Sequence, residues 1–176
     1  MASAAKNTHP TETAATGTDE HLHDVIAGFG VAMLTTQRSD GQLHARPMAV
    51  AKLTRDGDMY FATSLTSPKI DEIEAQPDVA VTFQDGGRFA VIYGVAAVSK
   101  DRALIEELWS PEWRVWFPQG KDDPNLCLLR IDGREAEYWN NSGVQGLKYL
   151  FKGLKAVLQG TTPTDDSAEH GKVQLP

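Results

Sequence analysis

Between residues 31 and 65, three stretches with the composition of β-strands follow one another with only turn signals between them. VAMLTTQ (31–37) and LHARPMAVAKL (43–53) flank Ser39-Asp40-Gly41, and Arg55-Asp56-Gly57-Asp58 separates the second from MYFATSL (59–65). Strands joined this closely run antiparallel, whereas a doubly wound parallel sheet needs a crossover helix between strands. A meander of this kind therefore argues against the open α/β classes and in favour of an antiparallel sheet.

The flanking segments fill out that picture. Residues 21–29 carry Leu22, Val25, Ile26 and Phe29 at helical spacing, with Gly28-Phe29-Gly30 closing the helix. Ser67-Pro68 opens a second helix, a cap residue followed by proline at the first helical position, which stops before Pro77. Residues 79–84 and 88–100 read as strands joined by Asp85-Gly86-Gly87. Gly94 inside the second marks a bulge or a close backbone approach. Asp101 caps a helix reaching Trp109, and 110–125 is a Pro/Gly-interrupted loop rich in aromatics. Residues 126–133 and 134–140 read as the last strands, and 143–159 as an amphipathic helix with Lys148, Lys152 and Lys155 on one face. The expected fold is mainly β (α+β): a six- to seven-stranded antiparallel split β-barrel with peripheral helices.

Both ends are poor in residues that could be buried. Residues 1–19 and 160–176 are expected to be disordered tails around one domain at 20–159. No apolar run in 1–19 resembles a secretory signal, so a cytoplasmic protein is expected. The chain has 17 Lys+Arg against 24 Asp+Glu, a formal charge of −7, which argues against nucleic acid or an anionic membrane as partner. The single cysteine, Cys127, excludes an internal disulfide and reads as a buried structural thiol between apolar neighbours. His21 and His23 have no third ligand nearby in sequence, and no metal is expected. Glycine-rich phosphate loops and a G-x-S-x-G nucleophile elbow are absent.

Three segments carry possible chemistry. In His44-Ala45-Arg46-Pro47-Met48, a proline interrupts a strand beside an arginine whose planar fork suits phosphate; the alternative is a solvent-facing arginine next to an edge proline. Thr63-Ser64-Leu65-Thr66-Ser67-Pro68-Lys69 gathers four hydroxyls and an ammonium at a helix start, a setting for an anion or simply a capped helix with an exposed lysine. Trp109, Trp113, Trp116 and Phe117 fall within nine residues, with Trp139 further on. They cover a planar ligand or an interface, or form a satellite hydrophobic cluster.

In this order the segments resemble the FMN-binding split-barrel superfamily that includes pyridoxamine 5′-phosphate oxidase, most closely its general stress protein branch. The resemblance spans about residues 20–141. It rests on Arg46-Pro47-Met48, Phe61-Ala62-Thr63-Ser64 leading into Ser67-Pro68-Lys69-Ile70, and Gln76-Pro77-Asp78-Val79. Gly94, Leu108-Trp109, Trp116-Phe117-Pro118-Gln119-Gly120, Asp123-Pro124 and Glu137-Tyr138-Trp139 extend it. It implies a homodimer with flavin between two barrels, FMN preferred and FAD possible. Arg46 and Lys69 would bind the phosphate with Ser67, Thr63 and Ser64, while the backbone of Arg46, Pro47, Met48, Ala49 and Val50 runs beside the ring. Trp116 or Trp139, from either subunit, would wall the ring. The oxidase pattern has a second basic residue directly before the lysine, where this chain has Pro68, and its C-terminal substrate-binding arginine and histidine are unmatched. The expected function is a flavin-dependent oxidoreductase acting on an unidentified small substrate or electron donor. The alternative is a non-catalytic flavin-binding stress protein, acting as carrier, buffer or redox sensor; haem or a deazaflavin in the same barrel is a third reading. No catalytic acid or base is singled out.

Overall fold

Alternation of buried and exposed residues sets the architecture. Strand β2 (Val31–Gln37) turns Ala32, Leu34 and Thr36 inward; β4 (Met59–Ser64) turns Met59, Phe61 and Thr63 inward, and β5 (Asp78–Asp85) does so with Val79, Val81 and Phe83. A period of two with one buried face is what a sheet curled around its own core requires. In this computed structural model, which describes residues 15–16, 19–140 and 169–176, β2, β4 and β5 join β3 (Leu43–Leu53), β6 (Arg88–Ser99) and β7 (Leu126–Asn140). The order is β7-β4-β3-β2-β5-β6, and β6 pairs back onto β7, closing a six-stranded antiparallel barrel. The mainly β, antiparallel barrel expected from the sequence is the fold observed.

Two glycines let the longest strands pass. The ladder between β6 and β7 shifts register between Tyr93 and Gly94, pairing Tyr93 with Glu135 but Gly94 with Gly133, so that Arg134 is the extra residue of a bulge. A Cβ on Gly94 would lie 2.3 Å from the Asp132 carbonyl oxygen, so the backbones meet there as only glycine allows. This corrects the sequence reading of 126–133 and 134–140 as two strands: they form one 15-residue strand, with Gly133 selected by the close approach of the Gly57 carbonyl.

The chain ends need a second correction. Glu169–Gln174, expected within a disordered tail, is strand β8, antiparallel to residues 135–140 of β7 on the edge that β4 leaves open. Val173 within it and Leu175 just after it are buried, Leu175 against Gly57 and Gly133, and Gly171 lies under the Tyr138 ring. Ala15–Thr16, in the expected N-terminal tail, forms a short strand β1 parallel to β8. The amphipathic helix expected at 143–159 lies outside the described residues.

Helix α1 (Asp19–Ile26) buries Leu22, Val25 and Ile26 and ends at Gly28, whose φ of +85° favours glycine. Helix α2 (Pro68–Ala75) adds Ile70 and Ile73 to the same core. A second, smaller core lies outside the barrel, where Ile105, Trp113, Phe117, Leu126 and Leu128 pack with Tyr60, Ala62 and Trp109. Helix α3 (Arg102–Leu108) supplies Ile105 and is capped by Asp101, whose Oδ1 accepts from the Ala103 and Leu104 amides at 2.9 and 3.2 Å. No helix among the described residues is long and apolar enough to cross a membrane.

Candidate functional site

The barrel is split where β3 and β4 part. Their pairing begins only at Val50–Phe61 and runs to Leu53–Met59, with an irregularity between Val50 and Lys52. Residues 62–64 of β4 have no partner on β3, and residues 43–49 of β3 pair with β2 alone. Pro47, opposite Met33, has no N–H to give a neighbour, which suits this open edge. Between the parted strands lies a cleft of about 380 Å³, a size within the roughly 300–1,000 Å³ range of small-molecule sites. Pro47, Met48 and Ala49 line one side, Ala62, Thr63, Ser64, Ser67 and Lys69 another, and Trp113, Trp116 and Phe117 close over it from the second core.

Lys69 gives the cleft its charge. Its Nζ donates to Ser67 Oγ at 2.6 Å and to Thr63 Oγ1 at 2.9 Å. Burial lowers its pKa below the usual lysine value, and the nearby Arg46 charge lowers it further. Ser67 occupies the N-cap position of α2, but its hydroxyl bonds to Lys69 and makes no cap hydrogen bond; this corrects its reading as a side-chain cap. Ser64 and Thr66 pair hydroxyl to hydroxyl at 2.9 Å, and Ser64 Oγ also accepts from the Thr66 amide. The alternatives for this segment thus resolve toward a half-buried ammonium facing a cleft.

Arg46 stands beside that group rather than in the lining. Its Nη1 donates to Thr36 Oγ1 at 2.7 Å and its Nη2 to Glu72 Oε2 at 2.6 Å, with the side chain only 14% exposed. Thr36 passes its own proton on to the same Glu72 oxygen at 2.5 Å, and His44 Nδ1 sits 3.0 Å from Oε1. Burial alone would raise the Glu72 carboxyl, but hydrogen bonds from His44, Thr36 and Arg46, together with the Arg46 charge, outweigh it and lower its pKa to about 2. The sequence reading gave no role to Thr36 or Glu72; Glu72 lies three residues after Lys69, on the same helix face.

Of the remaining candidates, Trp116 lines the cleft and is 67% exposed, while its neighbours Trp113 and Phe117 are buried. Val50 packs against the barrel core, its amide donating to the Gly30 carbonyl at 3.0 Å. Trp139 is not among the lining residues; it stacks on His170 of β8 at 4.8 Å between ring centroids. Cys127 is buried, donates to the Thr63 carbonyl, and is pushed up to about 11 by burial. Among the described residues, no three metal-ligating side chains cluster.

A split barrel with its cleft beside the start of α2 can be compared with known proteins. The family model described as "Pyridoxamine 5'-phosphate oxidase like" matches residues 17–164. The chain belongs to this pyridoxamine 5′-phosphate oxidase-like family. General stress protein 26 of Bacillus subtilis is 31% identical over 123 residues, covering 66% of this chain and 84% of that protein. Protein bli-3 of Neurospora crassa is 29% identical over 135 residues, 68% of this chain, which spans 65% of the length of bli-3. The crystal structure of the general stress FMN/FAD binding protein from Xanthomonas citri superposes with a TM-score of 0.61 at 32% identity, covering 71% of this chain and 89% of that one. The family match includes every residue that lines the cleft.

Proposed function

We propose that the protein binds FMN or FAD in the cleft, as a homodimer, and uses it to exchange hydride or electrons with a small substrate or donor in a stress-related role. The observation that carries this reading is the Lys69 ammonium, held by the Thr63 and Ser67 hydroxyls at one end of a cleft otherwise walled by strand backbone and aromatic rings. A phosphate fits the first part, because it replaces two neutral acceptors with a charge partner for a half-buried cation. A planar ring fits the second, between Pro47–Ala49 and Trp116. The likeness to an FMN/FAD binding protein at 32% identity adds its weight.

When bound, flavin supplies the redox chemistry itself. The chain's own work is then to grip the phosphate with Lys69, Ser67 and Thr63, and to lay the ring against β3. The indole of Trp116 keeps water from one face. Lys69 is the titratable side chain of the lining, which otherwise offers hydroxyls, apolar groups and rings. That lining favours a second reading, a flavin binder without substrate turnover.

Absorbance after adding FMN or FAD and desalting tests the proposal. Retained peaks near about 375 and 450 nm at about one flavin per subunit are expected; a colourless protein with both overturns it. Rapid reduction by a nicotinamide donor supports the oxidoreductase, and uniformly slow reduction by every donor supports the binder.

A further inference from the structure

Lys69 lines the cleft and Arg46 stands just behind it, and the fold cancels the charge of the second cation. Glu72 Oε2 receives the Arg46 guanidinium at 2.6 Å and the Thr36 hydroxyl at 2.5 Å, while Oε1 meets His44 at 3.0 Å. The carboxylate is 11% exposed, lies three residues after Lys69 on α2, and favours the Lys69 ammonium, against the Arg46 charge that opposes it. Arg46 and Lys69 contribute two positive charges and Glu72 one negative, leaving one net positive charge. A phosphate monoester carries about −1.5 to −2 at neutral pH. The diester phosphate next to the riboflavin of FAD carries a single charge. The monoester's extra charge therefore meets a site in which the Glu72 carboxylate has removed one positive charge. Both Arg46 and Glu72 are near enough to Lys69 for their charges to act on it.

We propose that Glu72 is a specificity-determining residue: by neutralising Arg46 it narrows the preference of the cleft for the doubly charged phosphate of FMN and admits the singly charged phosphodiester of FAD. This rests on the flavin reading of the cleft. Glu72 acts through charge and need not touch the ligand. The carboxylate-to-amide change Glu72→Gln keeps an acceptor for Arg46 and raises the site to two net charges.

Dissociation constants for FMN, FAD and riboflavin, read by flavin fluorescence, test it in wild type, Glu72→Gln and Thr36→Val. In Glu72→Gln, affinity for FMN rises relative to FAD by about threefold or more, riboflavin affinity stays level, and the gain shrinks at about 0.5 M salt. Thr36→Val, which removes hydrogen bonds but no charge, leaves the FMN-to-FAD ratio unchanged. An unchanged ratio in Glu72→Gln overturns the inference, as does an equal change in Thr36→Val. Wild-type protein that binds none of the three overturns the flavin reading itself, which separates that failure from this one.

Discussion

At the scale of single residues, the cleft depends on a lysine whose charge is solvated by two hydroxyls, while the nearby carboxylate, Glu72, is hydrogen-bonded to Arg46 instead. Burial depresses its pKa, so Lys69 gives up its proton earlier than an ordinary lysine as pH rises. Lys69→Met is expected to weaken FMN by about 1.5–3 kcal/mol and to leave riboflavin, which lacks the phosphate, unaffected; titration calorimetry with both ligands checks this. In the wild type, FMN affinity should fall at alkaline pH below the usual lysine range while riboflavin affinity stays flat. Glu72 runs the other way. Its folded pKa of about 2 lies below the ordinary 4.5, so its contribution to stability is fully present above about pH 4.5 and is lost as pH falls toward 2. Denaturant midpoints measured across that window should drop more steeply in wild type than in Glu72→Gln. Arg46 was legible as an unusual residue because a proline follows it in a strand. Its partners were not, since Thr36 and Glu72 lie 10 and 26 positions away. They meet only through the β2–β3 register and the seating of α2.

At the scale of elements, the barrel closes through one long, bent pair of strands. Turn dipeptides, periodicity and the proline at the head of α2 made most of the strands readable, and Gly94 inside a strand already pointed to a bulge or a close approach. The single strand β7 was read as two that divide after Gly133; what selects glycine there is crowding by Gly57 and Leu175, a property of the tertiary structure. Strand β8 was illegible for a related reason. Val173 within it and Leu175 just after it gain a core only because β7 extends beyond β4 and offers a free edge. The bend is testable at its tightest point. Gly94→Ala places a methyl 2.3 Å from a backbone oxygen that cannot move without breaking the ladder. It should cost about 2–3 kcal/mol in chemical denaturation, toward the upper end of ordinary overpacking.

At the scale of the whole molecule, the outer side of the β2–β3 pair carries apolar residues where a solvated sheet would be polar. Val31, Met33, Leu43 and Tyr93 are exposed, and the register sets Val31 beside Ala49 and Met33 beside Pro47. On β5 the neighbours of this strand pair are polar, Thr82 opposite Met33, so the apolar strip runs along β2 and β3 alone. Exposed apolar side chains grouped in this way suit an interface, and the proposed homodimer would cover them. Because Pro47 and Ala49 also line the cleft, whatever covers the patch approaches the ligand as well. A second copy of the chain satisfies both demands, burying the patch and supplying a wall on the open side of the cleft. The protein should therefore sediment at about twice 19.2 kDa. Met33→Glu, a charge at the centre of the patch and outside the phosphate grip, should yield monomers and weaken riboflavin and FMN together, since the missing wall serves the ring. Lys69→Met should remain dimeric and lose affinity for FMN alone. A wild type that sediments as a monomer, or a monomeric Met33→Glu with undiminished riboflavin affinity, would separate the cleft from the interface and leave each barrel to hold its ligand by itself.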